Sequence, residues 1–341
     1  MYEVIKVEDL RWNMIIDKFK CGDIYFTAEY FKSSLLLDEG EPILFYYTDE
    51  NGSVAYPFLK RKINNLNGIA IYDITTPYGY GGPLIEVTKS NEDLLIQFNV
   101  AFKKYCLDSC IVSEFIRFHP VIENYWGIET VLETRYIRNT IAIDLQKSED
   151  LFATIPSKTR NMIRKAKRNN LSISKLSPEG SFSEFVSIYS QTMRRNNAID
   201  YYFFDEEYFK SLFLNIGENL HMFGAYYQDK LVSVTLVMSY GKYVHYHLSG
   251  ALKEYLHTGA NNLLLFEIAN WAKIEGYQSF HLGGGYQGND DSLYKFKKSF
   301  TKDNPLQFWI GKKVYDKEKY DRLVLERKIQ KDNGYFPLYR S

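Results

Sequence analysis

Apolar residues in the first 150 positions follow two different periods. Strand-like runs occupy 43–48, 54–59 and 69–74. The segment 94–105 instead carries an apolar side chain every three or four positions, which predicts an amphipathic helix. Its apolar positions are Leu94, Phe98, Ala101, Phe102 and Tyr105. The first half of the chain is therefore expected to be mixed α/β.

The second half repeats this mixture in another order. Helices are predicted at 156–169, where Pro156 suits the first helical position, and at 182–193. Three strand-like runs joined by turn signals follow and indicate an antiparallel meander. They read LHMFGAYYQ, KLVSVTLVMSY and KYVHYHLSG. A helix at 260–275 and a strand at 280–282 come next.

The loop after that strand contains a G-x-G-x-x-G pattern at Gly283, Gly285 and Gly288. In a dinucleotide site this pattern opens a βαβ unit, with a second half of the sheet to follow. Too few residues follow Gly288 for that half, and Asp290 and Asp291 would repel a pyrophosphate at the next helix. We therefore interpret the glycines as a close approach of backbone, not as a nucleotide-cofactor site.

The composition limits the class of protein but does not identify a binding partner. The chain has 341 residues, which suggests two domains, and 42 basic against 42 acidic residues, so only local patches could bind a polyanion. Its three cysteines match neither a disulfide framework nor a zinc pattern. The start of the sequence lacks a signal-peptide pattern, and the longest apolar run, 231–238, is too short to span a bilayer. We expect a cytoplasmic protein that could still act on membrane-attached substrates.

One local basic surface is predicted. The stretch 151–178 contains no acidic residue, and four cations of the helix at 156–169 fall on one side of a helical wheel. These cations are Arg160, Arg164, Lys167 and Arg168. The surface suits a polyanion such as tRNA, and a solvated amphipathic helix is the alternative.

The sequence offers no recognisable covalent nucleophile. The six histidines are scattered and no G-x-S-x-G elbow is present. His245 and His247 would share one face of a strand, but no third metal ligand is evident. We expect no metal and favour packed histidines.

Five segments, in their order and spacing, resemble the FemABX family. Its members are tandem-GNAT aminoacyltransferases that use aminoacyl-tRNA to extend peptidoglycan stem peptides. The segments are TPYGYGGP at 76–83, SKTRNMIRKAKRNN at 157–170, YSQTMRR at 189–195, the stretch 247–285 and LYKFKKSF at 293–300. The resemblance covers most of the chain and implies an α/β fold of two GNAT domains. The long heptad pair of a coiled-coil arm, present in larger members, is missing.

The resemblance also implies a division of labour. Residues 1–148 would form a first GNAT-like domain on the acceptor side, to which 312–341 is expected to return. Residues 149–311 would form the second GNAT-like domain with the acyl-transfer cleft. A weak echo between 74–84 and 280–290, each a strand with a Gly-Tyr-rich turn, agrees with a tandem fold.

Family members bring a Phe-Lys pair to the reacting ester, and Phe296 and Lys297 match it. A cation at Lys297 could offset oxyanion charge or hold the tRNA terminus. Since several lysines crowd this segment and cannot all enter one cleft, a solvated surface charge is the alternative.

A second set of matches concerns the acceptor. Arg195 and Lys32 match residues that hold a phosphate of a nucleotide-linked acceptor, and a diphosphate suits such a pair. Tyr202 would line the same pocket. The neighbours Arg194 and Tyr201 compete for these roles, because the register after Arg195 is open.

The acyl donor is inferred from a difference between this sequence and the motif of CoA-dependent proteins. CoA-dependent GNAT proteins carry R/Q-x-x-G-x-G/A before the helix that begins near residue 260, and only Gly259 survives here. This favours aminoacyl-tRNA over acyl-CoA. The donor cleft would be shaped by Gly259 and by the three glycines of the later loop, Gly283, Gly284 and Gly285.

The resulting hypothesis is an N-acyltransferase that forms an amide bond and binds no cofactor. Its donor co-substrate would be aminoacyl-tRNA, and its acceptor an amine of a peptidoglycan precursor, a nucleotide-linked amino sugar or a related glycan intermediate. Two alternatives remain: an acyl-CoA-dependent GNAT enzyme of glycan biosynthesis, and a non-catalytic module that binds a glycan or peptide.

Overall fold

The chain is divided by its internal contacts into two units. One comprises Met1–Ile137 with Gln307–Ser341, and the other comprises Arg138–Leu306. The computed structural model describes residues 1–63, 70–197, 203–286, 291–327 and 334–341. The sequence analysis instead places domain boundaries at 148/149 and 311/312. These boundaries stay a prediction.

Both units contain strands and helices. The strands are β1 (Tyr2–Lys6), β2 (Glu41–Asp49), β3 (Gly52–Ile63), β4 (Ile71–Thr75), β5 (Leu84–Val87), β6 (Ile111–Arg117), β7 (Glu133–Asp144), β8 (Ser172–Leu176), β9 (Leu220–Tyr227), β10 (Lys230–Tyr240), β11 (Tyr243–Ala251), β12 (Ser279–Gly283) and β13 (Leu306–Val314). The helices are α1 (Arg11–Ile16), α2 (Ala28–Ser34), α3 (Asn91–Asp108), α4 (Leu151–Thr154), α5 (Ser157–Arg168), α6 (Pro178–Arg195), α7 (Glu206–Ile216), α8 (Ala260–Ile274), α9 (Ser292–Lys298) and α10 (Lys317–Glu326).

The same topology occurs in each unit. In the first, β2, β3 and β4 form an antiparallel meander, and after α3 the chain returns as β6, parallel to β4. In the second, β9, β10 and β11 form the meander, and after α8 the chain returns as β12, parallel to β11. A parallel neighbour requires a crossover, which each helix provides. The predicted meander and the mixed α/β class are confirmed.

Each sheet is completed by a strand from another part of the sequence. In the first unit β1 pairs with β2, β5 with β3, and β13 with β6. In the second unit β8 pairs with β9, and residues 141–144 of β7 pair with β12. Both closing pairs, β13 with β6 and β7 with β12, are antiparallel.

The crossover helices bury the faces that their periodicity predicts. On α3, Phe98 and Phe102 stack with ring centroids 5.5 Å apart, and Phe102 meets the ring of Phe45 edge-on at 5.0 Å. On α8, Leu264 and Ile268 are fully buried. Since both helices pack one apolar stripe against strands, hydrophobic burial orients each of them.

The C-terminal residues are held in the first unit by a buried carboxylate. Asp73 on β4 accepts hydrogen bonds from Arg61 Nε at 2.8 Å, Arg340 Nε at 2.5 Å and the Tyr339 hydroxyl at 3.1 Å. A buried carboxylate is costly unless it is paired. The C-terminal residues therefore provide hydrogen bonds to a carboxylate that would otherwise be less well compensated in the core.

The start of one helix differs from the sequence interpretation. Pro156 is the N-cap of α5 with extended backbone, not its first helical residue. The longest helices of the described ranges, α3 and α6, have 18 residues each and form no long helical arm. No helix in these ranges combines the length and apolar character that a bilayer crossing needs.

We expect Gly250→Ala to destabilise the second unit. A Cβ on Gly250 would lie 2.8 Å from the backbone nitrogen of Tyr189 and 2.9 Å from the carbonyl of Ile188, because β11 touches the backbone of α6 there. Overpacking of this kind costs ~1–3 kcal/mol. Urea-induced unfolding would measure the loss.

The matched control is Gly180→Ala on α6. A Cβ at this position meets no atom within 4 Å. Helix propensity predicts a gain of up to ~1 kcal/mol. Equal effects of the two substitutions would contradict the close packing of α6 on β11.

Candidate functional site

The two parallel strands of the second unit separate after a short paired stretch. β11 and β12 are paired at only three positions, from Tyr243–Ser279 to His245–His281. Beyond them β11 stays with β10, and a bulge at His247 bends it, whereas β12 follows β7 to Gly283. An open fork results between the ends of β11 and β12.

Lys297 projects into this fork. Asp291 caps α9 by accepting the Tyr294 amide at 2.8 Å, which sets the helix so that Lys297 in its last turn points inward and is only 6% exposed. Its Nζ donates to the carbonyl of Gly284 at 2.8 Å and lies 5.3 Å from the ring centre of Tyr246 on β11. The amine therefore connects both sides of the fork.

Burial changes the acid–base character of this amine. Removal from water lowers the pKa of Lys297 to about 7, against the carboxylate of Asp291, which raises it, while Arg138 lowers it further. The partner at hydrogen-bond distance is a neutral carbonyl, which compensates a charge only in part. Near neutral pH the amine is present in both ionisation states, so it can accept as well as supply a proton.

The glycines of the loop make room for protein groups. A Cβ on Gly285 would lie 2.2 Å from the carboxylate of Asp291, and one on Gly284 would lie 3.1 Å from Arg138 Cδ. Gly283 has φ of +76°, a conformation that favours glycine. The groups that approach Gly284 and Gly285 are the side chains of Arg138 and Asp291 and the carbonyl of Asn139. The assignment of Gly283, Gly284 and Gly285 to the donor cleft stays a prediction.

Sequence reasoning missed three residues around this loop. Arg138, on β7, donates from Nη1 to the carbonyl of Gly285 at 3.0 Å. Tyr286, 52% exposed, accepts a hydrogen bond from Asn196 Nδ2 at 2.6 Å. Because side chains distant in sequence make these bonds, the only local signal was the Gly-Tyr turn itself.

Arg195 lies beside the same loop. It is the last residue of α6, half-buried, and its Nη1 donates to the carbonyl of Ala251 at 2.6 Å. Its charge opposes the rise that burial causes in the pKa of Tyr286. The adjacent Arg194 is exposed. Of the two arginines that compete for the phosphate role, Arg195 is the one next to the loop.

The remaining acceptor residues stay predictions. Lys32 is exposed in the last turn of α2 in the first unit. Tyr201 and Tyr202 lie outside the described residues. The pairing of Lys32 with Arg195 on one diphosphate, and the role of Tyr202, are therefore expectations from the resemblance alone.

The basic side of α5 is less uniform than its sequence. Lys167 forms an ion pair with Glu267 at 2.9 Å, and Arg160 is half-buried with its guanidinium 6.0 Å from the ring of Phe152. Arg164 and Arg168 are exposed. The surface therefore presents fewer unbalanced charges than the helical wheel predicts.

Gly259 has a packing role where α5 meets α8. It is the N-cap of α8 with φ of +86°, and a Cβ there would lie 2.8 Å from the carbonyl oxygen of Met162. Both facts require glycine at this position whether or not a ligand binds. Its assignment to the donor cleft stays a prediction.

The two strand histidines have separate neighbours because the bulge at His247 interrupts the alternation of β11. The ring of His245 lies 5.5 Å from that of His281, and His247 Nε2 is 3.2 Å from the hydroxyl of Tyr208. Burial lowers the pKa of His247 to about 3, so this imidazole is neutral. These contacts support the interpretation as packed histidines.

Known proteins resemble this chain along most of its length. A family model described as an acetyltransferase (GNAT) domain matches residues 157–298. The UDP-N-acetylmuramoylpentapeptide-lysine N(6)-alanyltransferase of Weissella viridescens is 26% identical over 309 residues, 83% of this chain and 88% of that protein.

Solved structures show the same fold. The crystal structure of FemX has a TM-score of 0.71 at 12% identity and covers 94% of this chain and 99% of its own. The structure of L-PGS from Bacillus licheniformis has a TM-score of 0.57 at 11% identity and covers 96% and 98%. With the repeated topology of the two units, these likenesses confirm the tandem GNAT fold.

The lowered pKa of Lys297 predicts how stability depends on pH. Unfolding returns the amine to water, where its pKa is ~10.4. Between pH ~7 and ~10 the unfolded state binds the extra proton, so the unfolding free energy of the wild type rises with pH relative to Lys297→Met, by at most ~1.4 kcal/mol per pH unit.

Urea unfolding of both proteins across this range measures the difference. Lys295→Met, which removes an exposed lysine from the same helix, serves as the control and should track the wild type. Parallel pH curves for wild type and Lys297→Met would show that the buried amine keeps its ordinary pKa.

Proposed function

We propose that this chain, a FemABX-like acyltransferase, forms an amide bond by transferring an aminoacyl group from aminoacyl-tRNA to an amine. The motif-based resemblance to the family is confirmed by the GNAT family match and by the alanyltransferase relative. The observation that carries the proposal is the buried amine of Lys297 in the fork of the second unit.

The reaction needs a proton acceptor and no covalent enzyme intermediate. The acceptor nitrogen attacks the ester carbonyl, a C–N bond forms, the C–O bond to the ribose breaks, and one proton moves from nitrogen to the ribose oxygen. Neutral Lys297 takes the proton of the attacking amine. As an ammonium it then faces the developing oxyanion and returns the proton to the leaving oxygen.

Phe296 would support the helix that carries the amine. Its half-buried ring lies 5.3 Å from that of Phe300 and packs against the core of the second unit. Because adjacent residues of a helix point in different directions, this packing orients α9 while Lys297 points into the fork. We therefore infer a paired role, in which Phe296 anchors α9 and Lys297 acts in the fork.

The N-terminus of α8 favours aminoacyl-tRNA over acyl-CoA. The space beside Gly259 is taken by the carbonyl of Met162, and a carbonyl oxygen there disfavours a bound pyrophosphate. Acyl-CoA remains the alternative donor, because the family model that matches this chain is described as an acetyltransferase. Charged tRNA is a cytoplasmic substrate, and we assign the reaction to that compartment.

For the acceptor we propose an amine of a peptidoglycan precursor. The alanyltransferase relative acts, by its name, on the lysine of a UDP-N-acetylmuramoylpentapeptide. Arg195 beside the loop would bind a phosphate of such an acceptor, and the exposed cations of α5 would contact tRNA. Nucleotide-linked amino sugars and other glycan intermediates are the neighbouring acceptor classes.

Single-turnover transfer tests the proposal. Charged tRNA pools and acetyl-CoA are supplied separately against UDP-linked muropeptide precursors and UDP-linked amino sugars. We expect transfer from tRNA, a loss of at least ~100-fold in Lys297→Ala, and a rate that falls with acid as the amine becomes protonated. Lys295→Ala should retain the wild-type rate.

Two results would replace the proposal. Transfer from acetyl-CoA alone would identify a CoA-dependent enzyme. Silence with both donors, together with precursor binding that Lys297→Ala leaves intact, would indicate a non-catalytic binding module.

A further inference from the structure

We propose that Arg138 is a positioning residue for Lys297: it holds, through the carbonyl of Gly285, the loop whose neighbouring carbonyl, of Gly284, fixes the lysine amine. The kinetic consequence of this inference rests on the proposed function. Its structural content does not, because it concerns a contact between β7 and the loop after β12.

The contact is made by both parts of the arginine side chain. Nη1 donates to the carbonyl of Gly285 at 3.0 Å and lies 3.5 Å from that of Tyr286. The stem packs on Gly284, where a Cβ would come within 3.1 Å of Arg138 Cδ. Lys297 Nζ donates to the carbonyl of Gly284 at 2.8 Å. Two cationic side chains from different elements thus hold two successive peptide carbonyls.

The loop depends on such contacts to keep one conformation. The pairing of β12 with β7 ends at Gly283, so no sheet hydrogen bonds hold the next two glycines. Glycine loses more backbone freedom on ordering than any other residue. The bond from Arg138 compensates this cost, and without it the carbonyl of Gly284 could rotate away from the amine.

The charges around Lys297 give Arg138 a second effect. Among the described residues, three groups act on the amine: Asp291 at the start of α9, Tyr246 on β11 and Arg138 on β7. Burial raises the pKa of Tyr246 to about 12, so this hydroxyl is neutral. Asp291 favours the ammonium and Arg138 opposes it. Arg138 therefore helps keep a fraction of the amine neutral near pH 7.

The test separates charge from geometry with three variants. Arg138→Lys keeps a charge and one donor, Arg138→Gln keeps a donor without charge, and Arg138→Met keeps only the stem. Arg135→Met, on the same strand and exposed, is the control. All are first compared by circular dichroism and urea unfolding, and Arg138→Lys keeps the test valid if the other two fold poorly.

The first readout is the ionisation of Lys297 itself. Competitive labelling of the intact protein with 1-fluoro-2,4-dinitrobenzene, followed across pH and resolved by peptide mass spectrometry, reports the titration midpoint. We expect the midpoint to rise by on the order of one pH unit in Arg138→Gln and Arg138→Met and to stay in place in Arg138→Lys and Arg135→Met. If Arg138 had only a structural role, its substitution would lower stability without moving the titration midpoint of Lys297.

The second readout is the pH profile of single-turnover transfer. We expect the acid limb to shift in parallel with the labelling midpoint, and the rate at its plateau to fall at least ~10-fold in Arg138→Met because the amine is misplaced. Rescue by Arg138→Lys should be partial, since a point charge replaces a planar donor.

The outcomes distinguish the two claims. An unchanged midpoint and an unchanged rate in Arg138→Gln and Arg138→Met would overturn the positioning role and leave the acyltransferase intact. If the wild type transfers nothing from any donor, the proposed function fails, and the labelling midpoints still decide whether Arg138 controls Lys297.

Discussion

The hydrogen bond from the Lys297 amine to the carbonyl of Gly284 is the constraint on which the candidate site depends. It joins α9 to the end of β12 where the sheet opens. A buried ammonium with an ion-pair partner would keep its proton. Here the hydrogen-bond partner is a neutral carbonyl, the ring of Tyr246 lies beside the amine, and the charges of Asp291 and Arg138 act on it in opposite directions. The protein therefore holds the amine in place without fixing its charge, which is what a proton acceptor needs.

The first unit has the same topology, but its two parallel strands stay joined at the place where those of the second unit separate. There β4 and β6 remain paired to Thr75–Phe115, and a further bridge joins Gly81 to Phe118. Asn124 donates to the carbonyl of Gly81 at 2.9 Å. The turn that echoes the loop after β12 is thus held by hydrogen bonds along both strands. Two copies of one fold differ in whether the parallel strands separate, and the open copy is the one with the buried lysine.

Sequence patterns predict the part of this structure that local physics determines. The helix at 94–105 and the meander follow from periodicity, because burial of one face acts at every turn or every second residue. Pro156 was misplaced by one residue because a cap and a first turn tolerate the same side chain. Lys297 was found through the family motif, and its burial was not, since charge-rich segments are ordinarily solvated.

Arg138 and Tyr286 show why the rest could not be predicted. Their bonds join groups far apart in the chain and end on backbone carbonyls, which leave no residue pattern to recognise. Gly259 shows the converse, since a motif residue with a ligand role in related folds has here a packing reason of its own. A glycine is determined by local geometry first, and only a ligand contact can assign it a second role.

The uneven charge on α5 bears on how a tRNA would be selected. Arg160 is half-buried and the exposed Lys167 is paired with Glu267, which leaves Arg164 and Arg168 as the exposed cations of the four outside the ion pairs of the described residues. Each phosphate neutralised contributes a small, salt-sensitive increment, so two cations supply weak attraction. Under the proposed function, discrimination between donors would then arise mainly at the fork, where a buried amine can take a proton only from an acceptor positioned against the ester. The chemistry of Lys297 would select the substrate, and the charge of α5 would only attract it.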